Sequence, residues 1–69
     1  MDAARDYSAL AESYSLHVVQ YRRLIQDARE LLTTGKDDLF TLNKVGTILT
    51  LADGVSAEMA SIRKAMRNL

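Results

Sequence analysis

Cysteine, proline and tryptophan are absent from these 69 residues, and there are only three glycines, one phenylalanine and one histidine. Without cysteine there is no disulfide framework and no thiolate metal cluster, so a body this small must be held by packing or by a partner. That usage fits a reducing compartment. Without proline, and with glycine confined to positions 35, 46 and 54, the punctuation of an all-β or multi-turn fold is missing. An excess of charge of one sign is lacking too, because nine Lys plus Arg balance nine Asp plus Glu. This balance excludes a basic nucleic-acid footprint and a supercharged tail. Apolar residues make up 48% of the chain, yet no uninterrupted run nears the ~18 residues of a membrane span. No basic-then-apolar leader opens the sequence, so the expectation is a soluble, untargeted chain without membrane insertion. One domain over 1–69 is the most it can hold, too little for both a large core and an active-site cleft, and an enzyme is not expected.

What is present is helical spacing. Ala3, Tyr7, Leu10, Tyr14, His17, Tyr21, Leu24, Ala28 and Leu31 recur at alternating steps of four and three, the seam of a packed helix with His17 as its one polar member. A parallel row, Ala4, Ala11, Val18, Ile25 and Leu32, widens that seam to three positions in seven. Val45, Ile48, Ala52, Val55, Met59, Ile62, Met66 and Leu69 repeat the pattern in the second half. The spacing predicts an all-α antiparallel hairpin, with a helix over about 3–34, a turn over about 35–37 and a helix over about 38–68.

The turn and the chain ends carry their own signals. Gly35 can take the left-handed conformation that ends a helix, Asp37 or Asp38 can cap the next one, and Asp2 can cap the first. The first five or so residues are expected to fray. Asp53-Gly54 reads as a turn dipeptide and costs about 1 kcal/mol inside a helix relative to alanine. Since Ala52 and Val55 keep the seam in register across it, a continuous helix with a soft point is favoured over a break.

Two antiparallel helices bury one seam, and for so small a body burial and chain entropy nearly cancel. Apolar residues nonetheless remain outside that seam. Leu16 and Val19 sit one turn apart on the back of the first helix, while Leu39, Phe40, Leu42, Leu49 and Leu51 surround the start of the second. Each such side chain gains about 1.5–3 kcal/mol on burial, so a handful docked on a partner outweighs a marginal folding balance. The candidate partner-binding residues are therefore Leu16, Val19, Leu39, Phe40 and Leu51, followed by the ladder Tyr7, Tyr14 and Tyr21. Arg23 and Asp27, four apart, are the clearest intrahelical ion pair, so charge contributes little.

Chemistry-bearing patterns are thin. A lone His17 has no second ligand at metal spacing and no nucleophile beside it, and it reads as a hydrogen-bonded seam residue. Tyrosines seven apart are what a seam or an interface produces, more than a stacking platform. Gly35-Lys36 is not a phosphate loop, because Glu30 stands where a glycine is needed and Asp37 where a hydroxyl would hold magnesium. Asp37-Asp38 lacks the further oxygen ligands of a calcium loop. Arg63, Lys64 and Arg67 suit the negative end of a helix dipole, and Arg22-Arg23 is too small a pair to imply nucleic acid. No catalytic residue, metal ligand or cofactor site is expected.

The stretches Val18-Val19-Gln20-Tyr21-Arg22-Arg23-Leu24, Asp27 through Asp38, and Ile48-Leu49-Thr50-Leu51-Ala52-Asp53-Gly54 together resemble the small E-type co-chaperones of type III secretion needle subunits. In that family a charged first helix ends at a glycine-containing turn and a second helix alternates leucine, alanine and isoleucine. The resemblance implies a bacterial cytoplasmic protein that pairs with a larger helical-repeat chaperone to keep a needle subunit monomeric before export. The chain departs from the pattern in carrying its seam through Met59, Ile62, Met66 and Leu69. Asp37-Asp38-Leu39-Phe40-Thr41-Leu42 and the apolar helix after it are also similar to the second half of needle and inner-rod subunits, which typically have a proline in the turn. A third possibility is a homo-oligomer in which two hairpins form a four-helix bundle acting as an adaptor or regulator.

Overall fold

The computed structural model describes residues 3–35 and 38–69. It is an all-α hairpin in which α1 (Ala3–Thr34) packs against α2 (Leu39–Arg67). Ala3, Ala4 and Arg5 are helical, so the expected fraying does not reach them. The molecule is a rod with extents of 53 × 15 × 12 Å and a radius of gyration of 15.9 Å. A compact protein of this length has a radius of about 11 Å. The elongation follows from helices of 32 and 29 residues joined by a turn too short to let them diverge.

The two seams meet as the heptads require. Ala28, Val45, Ala52 and Val55 are buried, while Leu10, Tyr14, His17, Tyr21, Leu24, Leu31, Ile48, Met59, Ile62 and Met66 are half-buried along the same line. Alanines at two of the buried positions let the helix axes come close. The seam opens at its ends: Ala3 is exposed, Tyr7 is half exposed, and Leu69 lies beyond the C-cap residue Asn68 and is exposed. Leu32, at the end of the widening row, is exposed as well.

The turn differs from expectation in one respect. Gly35 has no left-handed backbone, and no described glycine does. Its N–H instead donates to the Leu31 carbonyl at 2.8 Å, continuing the helical ladder. The reason for glycine here is space, because a Cβ would run into the Leu31 carbonyl oxygen and come within 2.8 Å of the Thr41 methyl. Asp38 caps α2: its carboxylate accepts from the Thr41 N–H at 2.7 Å. That bond holds the Asp38 pKa below its ordinary value of 3.8. Asp2, Lys36 and Asp37 lie outside the described residues. At Asp53-Gly54 the helix continues unbroken, and open space surrounds the missing Cβ of Gly54.

Candidate functional site

Two cross-helix hydrogen bonds fix which residues stand level with one another. His17 bridges the hairpin, with Nδ1 at 2.8 Å from the Ser13 carbonyl and Nε2 at 2.5 Å from Glu58 Oε2. Both ring nitrogens thus face acceptors, an arrangement that only the imidazolium satisfies fully. The Ser13 carbonyl first, and the Glu58 carboxylate second, raise the His17 pKa above 6.5. Three positions toward the open end, Arg63 Nη1 donates to the Tyr14 hydroxyl at 3.0 Å, with its guanidinium carbon 5.8 Å from the ring centre. By contrast, Arg23 and Asp27 do not close the expected ion pair. Among the described residues the one ion pair is His17–Glu58.

These bonds also label the two sides of the rod. Glu58 and His17 mark one groove, which nearer the turn is lined by Asp27, Leu31, Thr34, Lys44 and Ile48. Arg63 marks the other, lined with Tyr7, Met66 and Arg67. Helical phase then assigns the exposed apolar side chains. Phe40, Lys44, Thr47, Leu51 and Glu58 fall on one stripe of α2, so Phe40 and Leu51 belong to the Glu58 side, about 16 Å apart along the axis. Leu42, Leu49, Ser56 and Arg63 recur at sevens, so Leu42 and Leu49 belong to the Arg63 side, with Leu39 one turn before Leu42. On α1 the row Val18, Ile25 and Leu32 lies on that same side, beyond the tyrosines. The register set by His17–Glu58 brings Ile25 level with Leu49 and Leu32 level with Leu42.

The predicted contact residues are therefore not one surface. Leu16 and Val19 are exposed on the back of α1, flanked along their row by Glu12 and Arg23, and Leu16 stands about 28 Å along the axis from Phe40. Phe40 and Leu51 are exposed on the Glu58 side, and Leu39 is exposed on the opposite one. Tyr14 and Tyr21 are half-buried in the seam, with Tyr7 looser at its end. The Arg63 side carries a further apolar cluster, Leu32, Leu39, Leu42 and Leu49 beside half-buried Ile25 and Val18, with exposed Arg29 between Ile25 and Leu32. Only Leu39 of these was among the predicted contacts. The signal for the rest was present in the heptad rows, but it needs the cross-helix register to bring two rows together.

Among the described residues no three His, Cys, Asp or Glu side chains cluster as a metal site would require. No helix among them is long and apolar enough to cross a membrane. Among the described residues no buried side-chain polar atom lacks a hydrogen-bond partner. What the arrangement offers chemically is apolar surface on three sides, with polar bonds spent on holding the helices together. No protein-family model, curated protein or solved structure matches the chain.

Proposed function

We propose that the chain is a protein-binding helical hairpin, without catalytic activity, that works while held by a larger protein. One observation carries this reading: the rod exposes 5528 Å², against about 4300 Å² for a compact protein of 7.7 kDa. Among the described residues ten large apolar side chains, 44–77% exposed, contribute to that excess, and each gains free energy on leaving water.

The resemblance to E-type co-chaperones gives the reading its particular form. In it the hairpin docks on a helical-repeat chaperone in the bacterial cytoplasm, and the pair holds a needle subunit monomeric until export. Binding only the unpolymerised client lowers the concentration of the form that assembles. Phe40 and Leu51, on one stripe of α2, form the first contact surface, and Leu16 with Val19 a second on the back of α1.

Copurification of the tagged chain from its native cell tests this. A helical-repeat partner and a small export substrate should come down with the native chain. Phe40→Glu combined with Leu51→Glu should remove both while far-ultraviolet circular dichroism stays helical. Unchanged recovery with the double variant contradicts the assigned surface. Filaments formed by the purified chain itself would replace the reading with that of a needle or inner-rod subunit.

A further inference from the structure

We infer that the Arg63 side of the rod is the seat of an amphipathic helix from another protein, one that carries acidic residues along one flank of its apolar stripe. This goes beyond the proposed co-chaperone role and uses different residues from the surfaces assigned there.

The shape of this side suits a helix. Ile25 and Leu32 on α1 stand level with Leu49 and Leu42 on α2, and Val18 extends the α1 row toward the open end. From Val18 to Leu32 this apolar trough runs about 21 Å, or roughly four turns of helix. Val18 and Ile25 are half-buried, recessed where a flat bilayer does not reach but a cylinder laid between two helices does. Three apolar positions in seven along α1 is the width of a helix with two neighbours, and the hairpin supplies one. On the α2 wall Gly46 has open space over its missing Cβ, so nothing blocks the approach there.

Charge sets the chemistry of the occupant. Arg22 and Arg29, seven apart and exposed, form the α1 rim of the trough and line one groove with Tyr21 and Ile25. Arg63 and Arg67 line another on this side toward the open end. Against these cations stands one carboxylate, Asp53, on the α2 rim. Glu30, at the far edge of the Arg22–Arg29 groove, also lines the groove on the opposite side and accepts from the Gln26 amide at 3.4 Å. Among the described residues none of the four arginines closes an ion pair. A second copy stacked face to face would set like charges together. Carboxylates seven apart on an incoming helix instead meet Arg22 and Arg29 in register, while Asp53 keeps acid off its other flank. The Glu58 side has the reverse balance, Asp6, Asp27, Glu30 and Glu58 against Arg23 and Lys44, and repels the same helix. A formal net charge of zero thus conceals two sides of opposite sign.

Calorimetric titration of the full-length chain with a synthetic helical peptide of about eighteen residues reads the result. Leucine and alanine form the peptide's apolar stripe, glutamates recur at sevens on one flank, and glutamines fill the other. This peptide should bind at a single site, and the same peptide with lysine for each glutamate about tenfold more weakly. Arg22→Glu with Arg29→Glu should invert that order, the lysine peptide then binding the tighter, which loss of fold cannot imitate. Leu42→Ala with Leu49→Ala should weaken the glutamate peptide about tenfold. Phe40→Glu with Leu51→Glu should leave its binding unchanged, so that this face is judged apart from the co-chaperone surface. Equal affinity for the two peptides, or a preference that the arginine reversals do not invert, overturns the inference. So does a native chain that dimerises through Leu42 and Leu49, or that binds phosphatidylglycerol vesicles in preference to the peptide, since either gives the face to a different occupant.

Discussion

The half of the rod nearer the turn and the half nearer the chain ends are held together differently. Of the buried side chains among the described residues, Ala28, Val45 and Ala52 lie in the turn half and Val55 at the middle of the rod. Both cross-helix side-chain bonds, His17–Glu58 and Arg63–Tyr14, lie in the open half. Small apolar residues bring the axes close where the turn already limits their separation. Toward the open end the seam residues are larger and less covered, and polar side chains span the space instead. The turn half should therefore depend mainly on shape, with the Asp38 cap sensitive only at acid pH, while the open half should depend on protonation of His17 nearer neutrality.

Overpacking the turn half is the strongest way to break that contrast. Ala52 is 2% exposed, so Ala52→Leu should push the helices apart and cost up to about 3 kcal/mol in denaturant unfolding. Gly35→Ala should follow at about 2 kcal/mol, since the Leu31 carbonyl and the Thr41 methyl occupy the space its Cβ needs. Gly54→Ala is the control, because nothing meets the added methyl. It should stabilise the chain by about 1 kcal/mol through helix propensity alone.

Smaller effects belong to the open half. Arg63→Leu removes the bond to the Tyr14 hydroxyl and should cost about 1 kcal/mol or less. It should leave hydrogen exchange at Ala28 and Val45 unchanged. For His17 the sign follows from its raised pKa. The bridge to Glu58 stabilises fully below pH 6.5 and is lost as pH rises through the higher folded value. The thermal midpoint should fall over that window in the native chain, and by less in Glu58→Gln, which loses the carboxylate but keeps the Ser13 carbonyl. Asp38 acts oppositely, with its lowered pKa keeping the cap's contribution above pH 3.8 and losing it as pH falls through the folded value.

Much of this architecture is legible in the sequence because it is periodic. Alternating threes and fours mark both seams, and a turn bracketed by Gly35 and Asp38 leaves an antiparallel hairpin as the economical solution. What escapes is everything that depends on matching the two helices. The partners of His17 and Arg63 are 41 and 49 residues away, and no intrahelical spacing points to them. For the same reason the leucine face is hidden. Leu32 reads as a widening of its own seam and Leu42 as surplus at the next helix, until register sets them side by side. Gly35 is a subtler case: the residue signals the turn, but the requirement is imposed by Thr41 across it and not by backbone handedness. Arg23 and Asp27 have ideal spacing and still do not pair, in keeping with how weakly exposed ion pairs hold two long side chains in place.

The central claim is that two helices alone cannot cover the apolar surface this chain carries, so that its stability is inseparable from association. Thermal unfolding of the chain by circular dichroism, repeated over a rising concentration of the larger protein that copurifies with it, tests it directly. A fold completed by another molecule should show a midpoint that climbs steadily with the concentration of that molecule, as mass action requires. A midpoint that stays constant across that range, with a single cooperative transition, would contradict it.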